Sequence, residues 1–219
     1  MDFVHLLSWA CIVFTVCMFS TGLSDLRKMC FSRSTENVQL LPFLTTNLNN
    51  LGWLYYGYLK DDWTLITVNL IGATLQTAYM LAYFFYSVEK RKVLLQTGLA
   101  SAVLCSACFY FSVQVPDLST RLSQLGLFCS VFTISMYLSP LADLAKILRS
   151  RSTECLSFSL SVATFLTSTS WTLYGLQLND LYIMVPNTPG IVTSLIRFWL
   201  FWQYPSAGQG KFSYRTLQA

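Results

Sequence analysis

Charge is scarce in this chain. Only 11% of its 219 residues are charged, against about a quarter in a soluble domain. Apolar residues make up 54%, and the mean hydropathy is +0.50. This excludes an ordinary soluble domain and leaves no basic surface for nucleic acid; the net charge of +4 carries meaning only through where its cations sit. Histidine is scarcer still: His5 stands alone. No His-based metal cluster or nucleophile–base pair is available, so neither an enzyme nor a cofactor or metal is expected. All ten acidic residues lie in loops or at the ends of apolar stretches. A carboxylate at the centre of a membrane span costs about 2.5–3.5 kcal/mol, so the absence of one is the default, but it argues against proton coupling. The seven cysteines are an odd number and sit mostly in apolar stretches, which does not make a disulfide framework. Cys105-Ser-Ala-Cys108 reads as small residues at a helix contact rather than a redox pair.

The apolar residues are grouped. Seven windows run near Phe3–Leu23, Leu41–Leu59, Trp63–Tyr86, Val93–Val115, Leu122–Leu144, Leu156–Leu178 and Leu181–Tyr204. Each is long enough to cross a bilayer, where only a helix pairs all its own backbone groups. The first lacks a basic leader and is too long for a signal core, so it is expected to be a retained span. With the amino terminus outside and the carboxy terminus in the cytosol, the inner segments hold eleven of the Lys and Arg residues and the outer loops only Lys60 and Arg121. Arg197 falls near the inner end of the last span.

A repeat organises these windows. Arg33-Ser34-Thr35-Glu36 recurs 118 positions later as Arg151-Ser152-Thr153-Glu154. The same ungapped shift carries Asp25 onto Asp143 and Trp53-x-x-Tyr56-Gly57 onto Trp171-x-x-Tyr174-Gly175. It also carries Asp62 onto Asp180 and Asn69-x-x-Gly72 onto Asn187-x-x-Gly190. The predicted fold is therefore an all-α integral membrane protein. Seven transmembrane helices form two parallel three-helix repeats (1–88 and 118–205) joined by a linker helix (89–117), with a short cytosolic tail (206–219).

Depth places a site. Trp53 lies about six residues inside the outer end of span two, and Asn69 about six residues into span three, roughly 9–10 Å deep at 1.5 Å per residue. Trp171 and Asn187 reach the same level in the second repeat. Asn offers donors and an acceptor without charge, and Trp a flat apolar face. Together they suit a neutral polyhydroxyl ligand better than helix-to-helix glue, the more so as Pro186 and Pro189 flank Asn187. Tyr56, Tyr174, Asp62 and Asp180 lie further out, where a gate and ordinary interface residues read alike. Gly22, Pro42 and Pro140 lie near inner helix ends, where proline kinks or ends a helix.

Leu41-Pro-Phe-Leu-Thr-Thr46 with Trp53-x-x-Tyr-Gly57, and Met136-Tyr-Leu-Ser-Pro-Leu-Ala-Asp143 with Trp171-x-x-Tyr-Gly175 and Pro186-Asn187, resemble the SWEET family of sugar uniporters, within the wider PQ-loop group. The resemblance covers nearly the whole chain. It implies facilitated, bidirectional alternating-access transport of a glucose-like monosaccharide, with substrate contacts at Asn69 and Asn187 and sugar packing at Trp53 and Trp171. It also implies an outer gate at Tyr56, Tyr174 and Asp180. Of four inner-gate prolines in plant-type members, Pro42 and Pro140 match, while Gly22 and Ser159 stand at or near the others. A homo-oligomer, dimer or trimer, and residence in the plasma membrane or Golgi are further implications. The rival readings are a proton-coupled amino-acid or cystine carrier of the PQ-loop group, which calls for an intramembrane carboxylate, and a seven-helix receptor, which leaves the repeat unexplained.

Overall fold

A computed structural model of the chain describes residues 2–36, 38–150, 153 and 157–204, with side chains described for all of these except 138–150. The second Arg-Ser-Thr-Glu copy (Thr153 apart), the tail and the side chain of Pro140 lie outside the described residues. Among the described residues the secondary structure is helical throughout: α1 (Phe3–Phe19), α2 (Gly22–Ser32), α3 (Leu40–Lys60), α4 (Trp63–Tyr86) and α5 (Lys90–Phe109) come first. A π-helical turn (Tyr110–Gln114) extends α5, and α6 (Leu118–Ser150), α7 (Phe158–Gln177) and α8 (Leu181–Gln203) follow. Taking α1 and α2 as one interrupted segment gives the seven spans expected. Three of them, α1–α2, α4 and α5 with its π turn, are long and apolar enough to cross a membrane on those grounds alone.

The first window does not run as a single helix to Leu23. It breaks at Ser20 and Thr21, whose hydroxyls donate to the carbonyls of Val16 (2.8 Å) and Met18 (2.7 Å). These bonds saturate the end of α1, and Gly22 opens α2. Arg27 and Lys28 consequently lie on a helix rather than in a loop, and Lys28 pairs with Asp25 at 2.8 Å on an exposed face.

The chain divides into two compact units, Met1–Phe132 and Thr133–Ala219. In the first, α4 is central, with α3, α1 and α2 packed on it. In the second, α7 and α8 form a close hairpin. The two hairpins are built alike. Gly57 and Gly175 sit where a Cβ would come within 2.7 Å of Leu65 Cβ and Met184 N respectively, so only glycine lets the helices cross there. Each hairpin then turns through one left-handed residue, Asp61 (φ 55°) or Asn179 (φ 53°), types that tolerate this region. The N–H of Asp62 returns to the Gly57 carbonyl at 2.9 Å, and that of Asp180 to the Gly175 carbonyl at 2.8 Å.

Beside a buried apolar core, burial departs from that of a water-soluble protein. Phe31, Val88 and Trp202 are exposed, along with many Leu and Val side chains. Asn50, Asn69, Gln76, Thr164, Thr167 and Ser194 are buried. Apolar atoms outside and amides or hydroxyls inside are what a hydrocarbon solvent selects, because a polar side chain facing lipid stays unsolvated.

Candidate functional site

Asn69 is buried on the inward face of α4, and its Nδ2 donates to the Leu65 carbonyl one turn back at 2.8 Å. Asn187, half-buried on α8, repeats the bond: Nδ2 to the Ile183 carbonyl, again 2.8 Å. No other hydrogen bond to either amide occurs among the described residues. The local bond fixes each carboxamide plane and leaves the oxygen and one N–H for something else. Of the two prolines around Asn187, Pro189 is accommodated locally. Pro189 has no N–H for the Val185 carbonyl, and the Thr188 hydroxyl donates to that carbonyl instead at 2.8 Å.

Trp53 and Trp171 are both buried, each set edge-on to the tyrosine three residues later. The ring centroids are 5.4 Å apart for Trp53–Tyr56 and 5.7 Å for Trp171–Tyr174, with interplanar angles of 85° and 89°. A perpendicular tyrosine edge is a favourable partner for an indole face and holds its orientation. Lys60 Nζ lies 5.7 Å from the centroid of the Tyr56 ring at the C-terminal end of α3.

Asp62 and Asp180 cap helices. Asp62 Oδ1 accepts from the N–H groups of Thr64 and Leu65, both at 3.0 Å. Asp180 Oδ1 accepts from Tyr182 (3.0 Å) and Ile183 (3.3 Å). Each carboxylate satisfies orphan donors at a positive helix end. Asp180 is the more buried of the two, with 6% of its surface exposed. Helix capping is thus a task of Asp180 that the sequence reading had not assigned.

At the other end of the first unit, the Tyr79 ring covers Gly22; a Cβ there would come within 2.5 Å of Tyr79 Cε2. Tyr79 is buried, donates to the Phe19 carbonyl at 3.2 Å, and packs with Phe43, Met29 and Val38. This plug was missed in the sequence, where Tyr79 is one aromatic among many. Pro42 stands exposed in the first turn of α3, where its missing N–H costs nothing. Pro140 lies within α6.

Gly72 and Gly190 mark a second close approach. A Cβ on Gly72 would meet Phe19 and Asn50; on Gly190 it would meet Tyr137 and Ser168. Phe19 and Asn50 shifted by 118 positions are Tyr137 and Ser168, so each repeat pinches its last helix between the same two positions. Asn50 and Gln76, both buried here, were also missed, although an amide within an apolar window is itself a signal. Elsewhere, a cavity of about 50 Å³ between α3, α5 and α6 is lined mainly by apolar side chains, Leu48, Val103, Phe111, Leu125 and Phe128 among them. It lacks the convergent polar groups a sugar needs.

Comparison with known proteins agrees with this fold. The family described as "Sugar efflux transporter for intercellular exchange" matches the chain twice, over residues 5–91 and 123–209. The sugar transporter SWEET1 of Xenopus tropicalis is 68% identical over 94% of this chain and 96% of its own length. Its counterpart in Danio rerio is 65% identical over 100% of both, and that of Homo sapiens 65% identical over 90% and 89%. The structure of a eukaryotic SWEET transporter superposes with a TM-score of 0.86 at 30% identity, covering 92% of this chain and 96% of that one. Doubled family match, full-length relatives and shared fold together make this chain a member of the SWEET family of sugar transporters, an integral membrane protein that carries a sugar and is not an enzyme.

Proposed function

We propose that the protein is a uniporter that moves a glucose-like monosaccharide in either direction by alternating access, driven by the sugar gradient alone. The observation that carries this reading is the matched pair of amides. Asn69 and Asn187 stand at the same register of the two repeats, each held by one bond to its own helix and each keeping an uncharged acceptor and donor for a hydroxyl. Trp53 and Trp171, fixed by Tyr56 and Tyr174, supply flat faces for the C–H side of a sugar ring. The same tyrosines and the Asp180 cap form the outer gate; Gly22, Pro42 and Pro140, with the Tyr79 plug over Gly22, form the inner one. Only one apolar window, Leu122–Leu144, holds a carboxylate, Asp143, one residue from its end, so none stands mid-span to load with a proton. A site that must release on both sides binds weakly, near millimolar, about −4 kcal/mol.

The organisation that goes with this reading is a repeat at 1–88, a linker helix at 89–117, a repeat at 118–205 and a tail at 206–219. The amino terminus faces outside or lumen and the tail the cytosol, in plasma membrane or Golgi, as a homo-oligomer. Liposomes containing the purified protein test the transport reading. Radiolabelled glucose should equilibrate across them with no ion gradient, at a rate unchanged by external pH or by a proton uncoupler. Uptake that requires an inward proton gradient points to a coupled carrier instead.

A further inference from the structure

Two buried amides in the first repeat are left without partners. Asn50 of α3 is 2% exposed and its Nδ2 has no hydrogen bond; Gln76 of α4 is 6% exposed and its Oε1 has none. An unpaired buried polar atom costs stability, and most such atoms in folded proteins are satisfied. The equivalent positions in the second repeat show how that cost is avoided. There Ser168 pairs with the Tyr137 hydroxyl at 3.2 Å, and Ser194 donates to the Gly190 carbonyl at 2.7 Å. Phe19, which replaces Tyr137 in the first repeat, has no hydroxyl to offer Asn50. These two positions are therefore bonded in the second copy, although Thr167 and Thr169 beside Ser168 keep unpaired hydroxyls, and are left with a free donor and a free acceptor in the first.

Their placement is ordered. Asn69, Gly72 and Gln76 follow one face of α4, and Asn50 lies against Gly72. The seven residues from Asn69 to Gln76 span roughly 10 Å along the helix axis. That is further than one hexose ring reaches from the Asn69 amide, and Asn50 falls in between. The direction is away from the outer end of α4, toward the Tyr79 plug.

We propose that Asn50 and Gln76 form a second polar station for the sugar, inward of Asn69. Gln76 Oε1 accepts from one sugar hydroxyl and Asn50 Nδ2 donates to another as the ligand passes toward the inner gate. They determine specificity, because a site built to bond a hydroxyl rejects the analogue that lacks it. The inference rests on the sugar-uniport reading above.

The test uses the full chain in liposomes, with radiolabelled glucose competed by each of the five monodeoxy glucoses. Gln76→Leu removes the acceptor at similar volume; Gln76→Ser and Asn50→Ser install the residues of the second repeat. Wild type should discriminate against at least one analogue by about fivefold or more, and Gln76→Leu should bring that analogue to within about twofold of glucose. Melting temperature should not fall in Gln76→Leu, since an unpaired atom has been deleted. A residue that only packs would slow glucose and all analogues by one common factor. Unchanged ratios across the panel in all three variants overturn the station, as does a wild type that carries every analogue as fast as glucose. Absence of any glucose flux in wild type defeats the uniport reading itself.

Discussion

The two repeats share most of the residues that build the hairpin but, the glycine apart, differ at the crossing beneath it. Trp-x-x-Tyr-Gly, the aspartate cap and the asparagine that bonds its own helix occur in both copies with nearly equal distances. Phe19, Asn50 and Gln76 in the first copy become Tyr137, Ser168 and Ser194 in the second. The prolines on either side of Asn187 have no counterpart around Asn69. Identity is thus retained where backbone geometry is tight and at the asparagine pair. Divergence falls at Asn50 and Gln76, whose Nδ2 and Oε1 lack partners, while Ser168 and Ser194 are bonded in the second copy. Parallel substitutions in the two copies are the natural probe of this division.

The largest effect is expected at the asparagines. Asn69→Ala and Asn187→Ala should each cut sugar flux by about tenfold or more, the equivalent of one or two hydrogen bonds, while membrane insertion is unchanged. Flux at wild-type level in both would remove the site from these positions. Next come the glycines. Gly72→Ala and Gly190→Ala both force a methyl into occupied space and should destabilise by about 1–3 kcal/mol, read as a lower melting temperature in detergent. A clear loss in one and none in the other would show that the two pinches are not equivalent.

The caps should differ by burial. Asp180→Ala is expected to lower stability by about 0.5–2 kcal/mol and Asp62→Ala by less, because Asp180 is the more enclosed. Equal losses would mean that enclosure is not what sets the cap's worth. Tyr137→Phe makes the second copy like the first and strips Ser168 of its partner, at about 1 kcal/mol.

The smallest effect concerns pH. Asp117, before α6, accepts from the hydroxyls of Ser119 (2.6 Å) and Thr120 (2.7 Å) and from the Thr120 N–H (2.8 Å). These bonds, that of Ser119 first, hold its carboxyl down at about 2. A depressed carboxylate contributes fully above its ordinary value of 3.8 and loses that contribution as pH falls toward 2. The melting temperature should therefore be insensitive to this group from pH 8 to about 5. Asp117→Asn should flatten only the acid limb below that, and a change above pH 5 contradicts the assignment.

Much of this was legible without coordinates, for physical reasons. A bilayer demands long uncharged helical windows, so window ends and helix ends agree closely, as at Trp63–Tyr86. The break at Ser20 and Thr21 was not legible, because two hydroxyl-to-carbonyl bonds leave no trace in hydropathy. Of the aspartates, the chain alone showed only that they recur; their capping bonds needed positions of backbone N–H groups.

The amino-acid order by itself determined the class and the duplication, since these follow from the uncharged windows and from the 118-residue shift, which also pairs Trp53 with Trp171 and Asn69 with Asn187. Which polar groups are already satisfied was decided only by the tertiary structure. Hydrogen bonding depends on what lies within 3 Å or so across a helix crossing, and no spacing in the chain reveals that Tyr137 meets Ser168 while Asn50 Nδ2 and Gln76 Oε1 find no partner.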